Sequence, residues 1–291
     1  MAGTESFLST RQGKLTLLFL CGVGMLDFVD ASIVNVALPS IRSHLHFSVQ
    51  SLQWVLSGYL ITYGGFMLLG GRAADLVGQR PLLIGGTSLF GVSSLLGGLA
   101  QSEGMLISAR LLQGVGAAMM VPAALSALTT AFPEGKDRAK ALGAWGGVAG
   151  VSSALGVFLG GVLSQGPGWR WVFFVNIPIC LADIYGAVRL LPRRTTRAKA
   201  SHFDALGALL VTAAMMLAIY AIVNAPTEGW GSARTLGELA GALALGVGFV
   251  VNESRVDAPL FPFSILRING LAAANMTQLA AVAGSFSPRA M

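Results

Sequence analysis

Residues 26–39, Leu-Asp-Phe-Val-Asp-Ala-Ser-Ile-Val-Asn-Val-Ala-Leu-Pro, set two acids inside an otherwise apolar run. That run extends over residues 15–38, near the length of about 20 residues that a helix needs to cross bilayer hydrocarbon. On such a helix Asp27 and Asp30, three apart, share one face. A carboxylate at bilayer depth costs about 2.5–3.5 kcal/mol on the insertion scale, so this face is expected to meet a partner or a wet crevice rather than lipid.

Working outward, comparable apolar stretches recur at 51–71, 81–100, 104–130, 139–164, 170–191, 205–225, 235–251 and 268–286. They read as helices, because strands of a membrane barrel would be about ten residues of alternating polarity and these are longer and continuously apolar. Composition agrees. The 291 residues are 54% hydrophobic and only 11% charged, with mean hydropathy +0.70, whereas soluble domains carry about 25% charged residues. A water-soluble globule, a disordered chain, collagen and a coiled coil are excluded, and the chain is read as an all-α integral membrane protein in the lipid bilayer.

The positive charge tests this assignment independently. Net charge is +6, but the basic residues are dispersed among the joints between apolar runs, which argues for membrane orientation and against a nucleic-acid partner. Fourteen Lys and Arg fall on one side of the alternating joints, while only Arg42, Arg170 and Arg234 fall on the other. The N-terminus is therefore expected in the cytoplasm, with the chain multi-pass in the cell (plasma) membrane. A signal peptide is not favoured, since the first apolar run is longer than an ordinary h-region and carries two acids. The two cysteines, Cys21 and Cys180, lie inside apolar runs and read as small core residues.

The candidate chemistry sits in groups that do not belong in lipid. Arg110 lies in the fourth span, with Gln113 three residues on, and Asp183 in the sixth is a further buried acid. One reading makes the first-span acids a site that loads and unloads protons and holds a cationic solute when ionised. The other is a static pair in which Arg110 neutralises an aspartate and ties two helices together. Asn35, Gln113, Tyr59 and Tyr63 are candidates for lining a solute cavity, or else ordinary interhelical and interfacial groups. The fifth span is rich in glycine, consistent with close helix approach or a sliding contact.

An intramembrane enzyme is disfavoured. His44 and His46 sit in one loop and His202 on the opposite side, so no metal site assembles. No Walker A, GxSxG or HExxH pattern occurs, and no cofactor is implied.

The residues form a recognisable series. Gly-Gly-Arg-Ala-Ala-Asp-Leu-Val-Gly-Gln-Arg, 70–80, resembles the loop signature of the major facilitator superfamily, with Gly71, Asp75, Gly78 and Arg80 on its pattern. Residues 30–39 resemble the first-span motif of the drug:proton antiporters with fourteen spans. Arg110, Gln113, Gly114 and Gly116 match the fourth-span motif, and Gly156, Gly160 and Gly161 the fifth-span antiporter motif. Residues 169–178 and 204–207 continue the match in order. Departures are Val157 where the fifth-span proline is usual, Leu76 and Gln79 in place of positive residues of the loop signature, and Asp27, an acid outside the motif.

The resemblance implies a proton-driven exporter of small hydrophobic or cationic drugs. It assigns coupling of protons and substrate to Asp30 and Arg110, and a cytoplasmic latch to the loop signature. It divides the chain into a cytoplasmic N-terminus (1–14), a six-helix bundle (15–191), a basic cytoplasmic linker (192–204), two additional helices (205–251), a cytoplasmic connection (252–267) and a partial ninth helix with a truncated tail (268–291). A second six-helix bundle is then missing, so the expectation is either an inactive truncated transporter or a half that pairs with a C-terminal half on another chain.

Overall fold

The computed structural model describes residues 6–193, 204–256, 259–261, 265, 270–271 and 273–277. After a short 3-10 turn the described residues form α1 (Arg11–Leu45), α2 (Val49–Val77), α3 (Gln79–Gly98), α4 (Glu103–Ala131), α5 (Lys136–Gln165), α6 (Trp171–Phe174), α7 (Asn176–Leu190), α8 (Ala205–Glu228) and α9 (Ala233–Glu253). With α6 and α7 taken as one interrupted span, eight segments are long and apolar enough to cross a membrane. The expected ninth span at 268–286 lies largely outside the described residues, as do residues 194–203 of the expected linker.

Local chemistry sets where the helices begin. Thr10, Ser48, Ser102, Asp204 and Ser232 each accept a hydrogen bond from the amide three residues on, satisfying a donor that the first helical turn leaves open. The sharp junction of α2 and α3 is Gly78, whose φ of 105° lies in a region that other residues avoid.

Helix α4 packs along both α2 and α3. Helix α1 packs along α5 and also meets α4 and α7, while α3 meets α7. Helix α8 lies against α2, with Trp54 and Tyr220 rings 5.6 Å apart, and α9 packs on α8. In lipid these seams depend on close packing rather than on burial from water. Small residues supply it: a Cβ at Gly116 would stand 2.7 Å from the Phe90 amide, and one at Gly70 would collide with the Ala118 carbonyl. On α5, Gly156 and Gly160 bring α1 close, to within 2.9 Å of the Val29 carbonyl and 3.0 Å of the Ile33 carbonyl for a Cβ placed there. Gly143, Gly146, Gly147, Gly150 and Gly161 meet nothing within 4 Å, so close approach on α5 is confined to one face; Gly161 is turned about 100° from Gly160.

Two apolar clusters fill the bundle. One contains Leu20, Leu26, Leu83, Phe90, Met120 and Leu128; the other contains Ile33, Ile41, Val55, Leu106, Trp169 and Phe173. On α1, α3, α4 and the α6–α7 span, the residues between these clusters are polar and buried: Asp30, Ser94, Arg110, Gln113 and Asn176.

Candidate functional site

This buried polar layer is one connected network. Arg110 Nη1 donates to Asp30 Oδ2 at 2.5 Å and to Gln113 Oε1 at 2.7 Å. The second Asp30 oxygen accepts from Gln113 Nε2 at 2.9 Å and from Asn176 Nδ2 at 2.7 Å. Ser94 Oγ accepts from Gln113 Nε2 at 2.8 Å and from Asn176 Nδ2 at 3.3 Å. Helices α1, α3, α4 and α7 each contribute a side chain. Asp30, Arg110, Gln113 and Asn176 are all 0% exposed, so the charges are compensated by one another and not by solvent.

Arg110 is also oriented by α2. Its Nε donates to the Val55 carbonyl at 2.9 Å, and its guanidinium lies 4.3 Å over the Tyr59 ring, a cation–π arrangement that strengthens when desolvated. Arg110 Nη2 and Asn176 Oδ1 have no hydrogen-bond partner among the described residues. Asp27 stands beside the network with different company: the Tyr59 hydroxyl donates to it, and the Tyr63 hydroxyl reaches its other oxygen at 3.4 Å. At 6% exposed, Asp27 is nearly as deep as Asp30.

The structure therefore brings Asp27, Asp30, Tyr59, Tyr63, Arg110 and Gln113 together. Tyr59 and Gln113 are buried inside the network rather than set on an open wall. Asn35 is separate, on an exposed face of α1, because five residues at about 100° each turn it well away from Asp30. Asn176 and Ser94 are members that the sequence reading did not single out. Asn176 stood within the noted 169–178 stretch, and Ser94 carried no signal.

A second group gathers where α2 joins α3. Asp75, Gly78 and Arg80 line a cavity of about 420 Å³ with Gln79, Thr130 and Arg193. Gln79 Nε2 donates to Ser126 at 3.0 Å and Thr130 at 2.9 Å on α4, so the residue standing where the loop signature carries a positive charge makes neutral bonds across the seam. Gly71 has only ordinary contact, with Pro122 at 4.0 Å; the tight approach is at Gly70. Among the described residues no three His, Cys, Asp or Glu side chains gather to hold a metal ion.

Eight apolar spans, five of which supply the partners of a sealed charge cluster, define a multi-pass membrane protein of the helical-bundle type. The chain belongs to the Major Facilitator Superfamily, whose family model matches residues 20–290. That is a family of transporters, not of enzymes.

Among its relatives, the chain is 39% identical over 275 residues to the cephamycin export protein of Amycolatopsis lactamdurans, covering 94% of this chain and 56% of that one. It is 39% identical over 256 residues to the puromycin resistance protein of Streptomyces alboniger, covering 87% and 50%. With the tetracenomycin C resistance and export protein of Streptomyces glaucescens the identity is 39% over 253 residues, covering 87% and 47%. The chain thus spans about half the length of the relatives it matches.

Solved structures share the fold. A bacterial homologue of the human lysosomal transporter Spinster, in an inward-facing unoccupied conformation, superposes with TM-score 0.53 at 21% identity, over 82% of this chain and 60% of that one. The POT family transporter PepTSo gives TM-score 0.54 at 17% identity, over 81% of this chain and 52% of that one.

Proposed function

We propose that this chain works in proton-coupled export of small hydrophobic or cationic drugs by alternating access, with residues 15–191 as the N-terminal bundle and 205–251 as two additional helices. The observation that carries the reading is the Asp30 carboxylate, sealed at mid-span and bonded from α4 and α7 at once. In this reading a carboxylate held by three neighbours on two other helices acts as a coupling point. Adding a proton neutralises it and weakens its hold on Arg110, while an ionised Asp30 favours the paired arrangement. Solute and proton then compete, each favouring a different arrangement of the helices. The work comes from the proton gradient, whose electrical part supplies about 2.3 kcal/mol per charge per 100 mV. No covalent step is required.

In this reading Asp30 and Arg110 carry the coupling. Asp27, with Tyr59 and Tyr63, adds a neighbouring acid about one turn away on the same face of α1. Asp75, Gly78 and Arg80 belong to a latch at the cytoplasmic side, where the N-terminus also lies. Names such as cephamycin export and puromycin resistance among the relatives support small antibiotics as the cargo class.

A second reading is favoured by the chain's coverage of half of those relatives and by the largely unburied α5: transport requires a second helical bundle. Both are tested in vesicles with ethidium as the hydrophobic cation, with and without a co-expressed second bundle. Proton release on ethidium uptake is expected with the second bundle present and lost in Asp30→Asn with membrane insertion intact. Equal proton release in wild type and Asp30→Asn overturns the first reading. Ethidium export by the 291-residue chain alone overturns the second.

A further inference from the structure

Apart from the Asp30 network, Asp183 is an acidic side chain buried among the described spans for which no hydrogen bond or ion pair is seen among the described residues, whereas buried Glu253 accepts from the Leu260 amide. Asp183 on α7 is 5% exposed, and its Oδ2 has no hydrogen-bond partner among the described residues. Its Oδ1 faces α1, where a Cβ at Gly22 would stand 3.3 Å away. With Asn176 and Cys180 it forms a buried line along one face of α7, at positions i, i+4 and i+7. Asn176 is bonded to Asp30 at one end of that line; Asp183 lies toward the other end, where Arg189 and Leu191 border a cavity of about 410 Å³.

The surroundings of Asp183 are neutral. On α7 its titratable neighbours are Cys180 and Tyr185, the latter exposed and under the Arg189 guanidinium. On α1, Cys21 adjoins Gly22 and is half-buried, and Asp27 five residues on is engaged by Tyr59 and Tyr63. On α3, the residues beside Cys180 are Thr87, Ser88 and Gly91, none of which titrates. No Lys, Arg or His forms an ion pair with Asp183 among the described residues. An anion with neither a cation nor a donor at this depth is disfavoured on general grounds, whereas the neutral acid is tolerated.

We propose that Asp183 is a second proton-binding site, set on the α1–α7 seam and separate from the Asp30–Arg110 pair. A proton from the aqueous phase adds to one carboxylate oxygen to give the neutral acid, and release reverses that step; no other bond changes. Seven residues of helix separate Asp183 from Asn176, about 10 Å along the axis at 1.5 Å per residue. That is beyond direct hydrogen bonding, so Asp183 is a site distinct from the Asp30 network. The inference stands whether or not Asp30 couples transport.

The test is infrared spectroscopy of the purified full chain in lipid at neutral pH, wild type against Asp183→Asn. Loss of a carboxylic-acid C=O stretch in the variant is expected, with that band retained in Asp30→Asn. Where Asp183→Asn does not fold, labelling of wild type with dicyclohexylcarbodiimide decides, because this apolar reagent adds to protonated carboxyls. Trypsin cuts after Arg170 and Arg189, leaving Asp183 as the sole side-chain carboxyl of residues 171–189. That peptide is expected to carry label that declines as pH rises. No band difference in the folded variant, or an unlabelled 171–189 peptide where the variant does not fold, overturns the proposal.

Discussion

Replacing Arg110 by methionine removes the guanidinium but fills much of its volume, leaving Asp30 with two neutral amide donors, Gln113 at 2.9 Å and Asn176 at 2.7 Å. At about 3 Å and an effective dielectric near 20, two unit charges attract by roughly 5 kcal/mol. Removing one member of a buried pair costs about 3–5 kcal/mol, because the other charge is left behind. Arg110→Met is therefore expected to destabilise the chain by about 3–5 kcal/mol, and Asp30→Asn by a comparable amount. The double variant leaves neither charge stranded and should lose far less than the sum, a coupling of about 2–3 kcal/mol. The assay is unfolding by sodium dodecyl sulfate in mixed micelles, followed by the fluorescence of the five tryptophans. Single effects that add to within about 0.5 kcal/mol refute the reasoning, since the two charges would then not sense each other.

Two further outcomes are expected from the same unfolding assay. Gly156→Ala should cost about 1–3 kcal/mol, since its Cβ meets Ser32 Cβ at 2.5 Å on the α1–α5 seam; Gly161→Ala, where the Cβ meets open space, should be neutral or stabilising by up to about 1 kcal/mol through helix propensity. Arg234 pairs with Glu228 at 2.7 Å and Glu238 at 3.1 Å on the surface, and Arg234→Ala should leave stability nearly unchanged, any effect shrinking further with added salt.

The spans were legible because the bilayer imposes a length and forbids unpaired backbone, so apolar runs of about 20 residues have one reading. The meeting of Asp30 with Arg110 was legible as one of two options for the same reason: charges at that depth require company. Asn176 was not. A lone asparagine near a span's end is an ordinary interhelical donor, and only the turn from α6 into α7 aims it at Asp30. Gln113, expected on a cavity wall, has its amide bonded to Asp30, Arg110 and Ser94, since residues one turn apart on α4 share a face and Asp30 lies opposite that face.

Asn35 shows the limit of proximity in sequence. It belongs to the same motif as Asp30, yet helical periodicity turns it outward. The glycines of α5 show a related limit. Spacing alone offers several faces for close approach, and which face is used depends on where α1 lies, which no local pattern encodes. The loop signature at Asp75 and Arg80 is legible in the sequence, but the cavity beside it is not, and the hydrogen bonds of Gln79 to α4 come from a position read as a departure from that signature.

The account rests on Asp30 being where proton and solute exclude one another. Its most direct measurement is proton release from the purified, detergent-solubilised chain on adding tetraphenylphosphonium, read with a pH-sensitive dye for wild type and Asp30→Asn. Release by wild type that disappears in Asp30→Asn is the predicted result; release of the same size from both proteins contradicts the account.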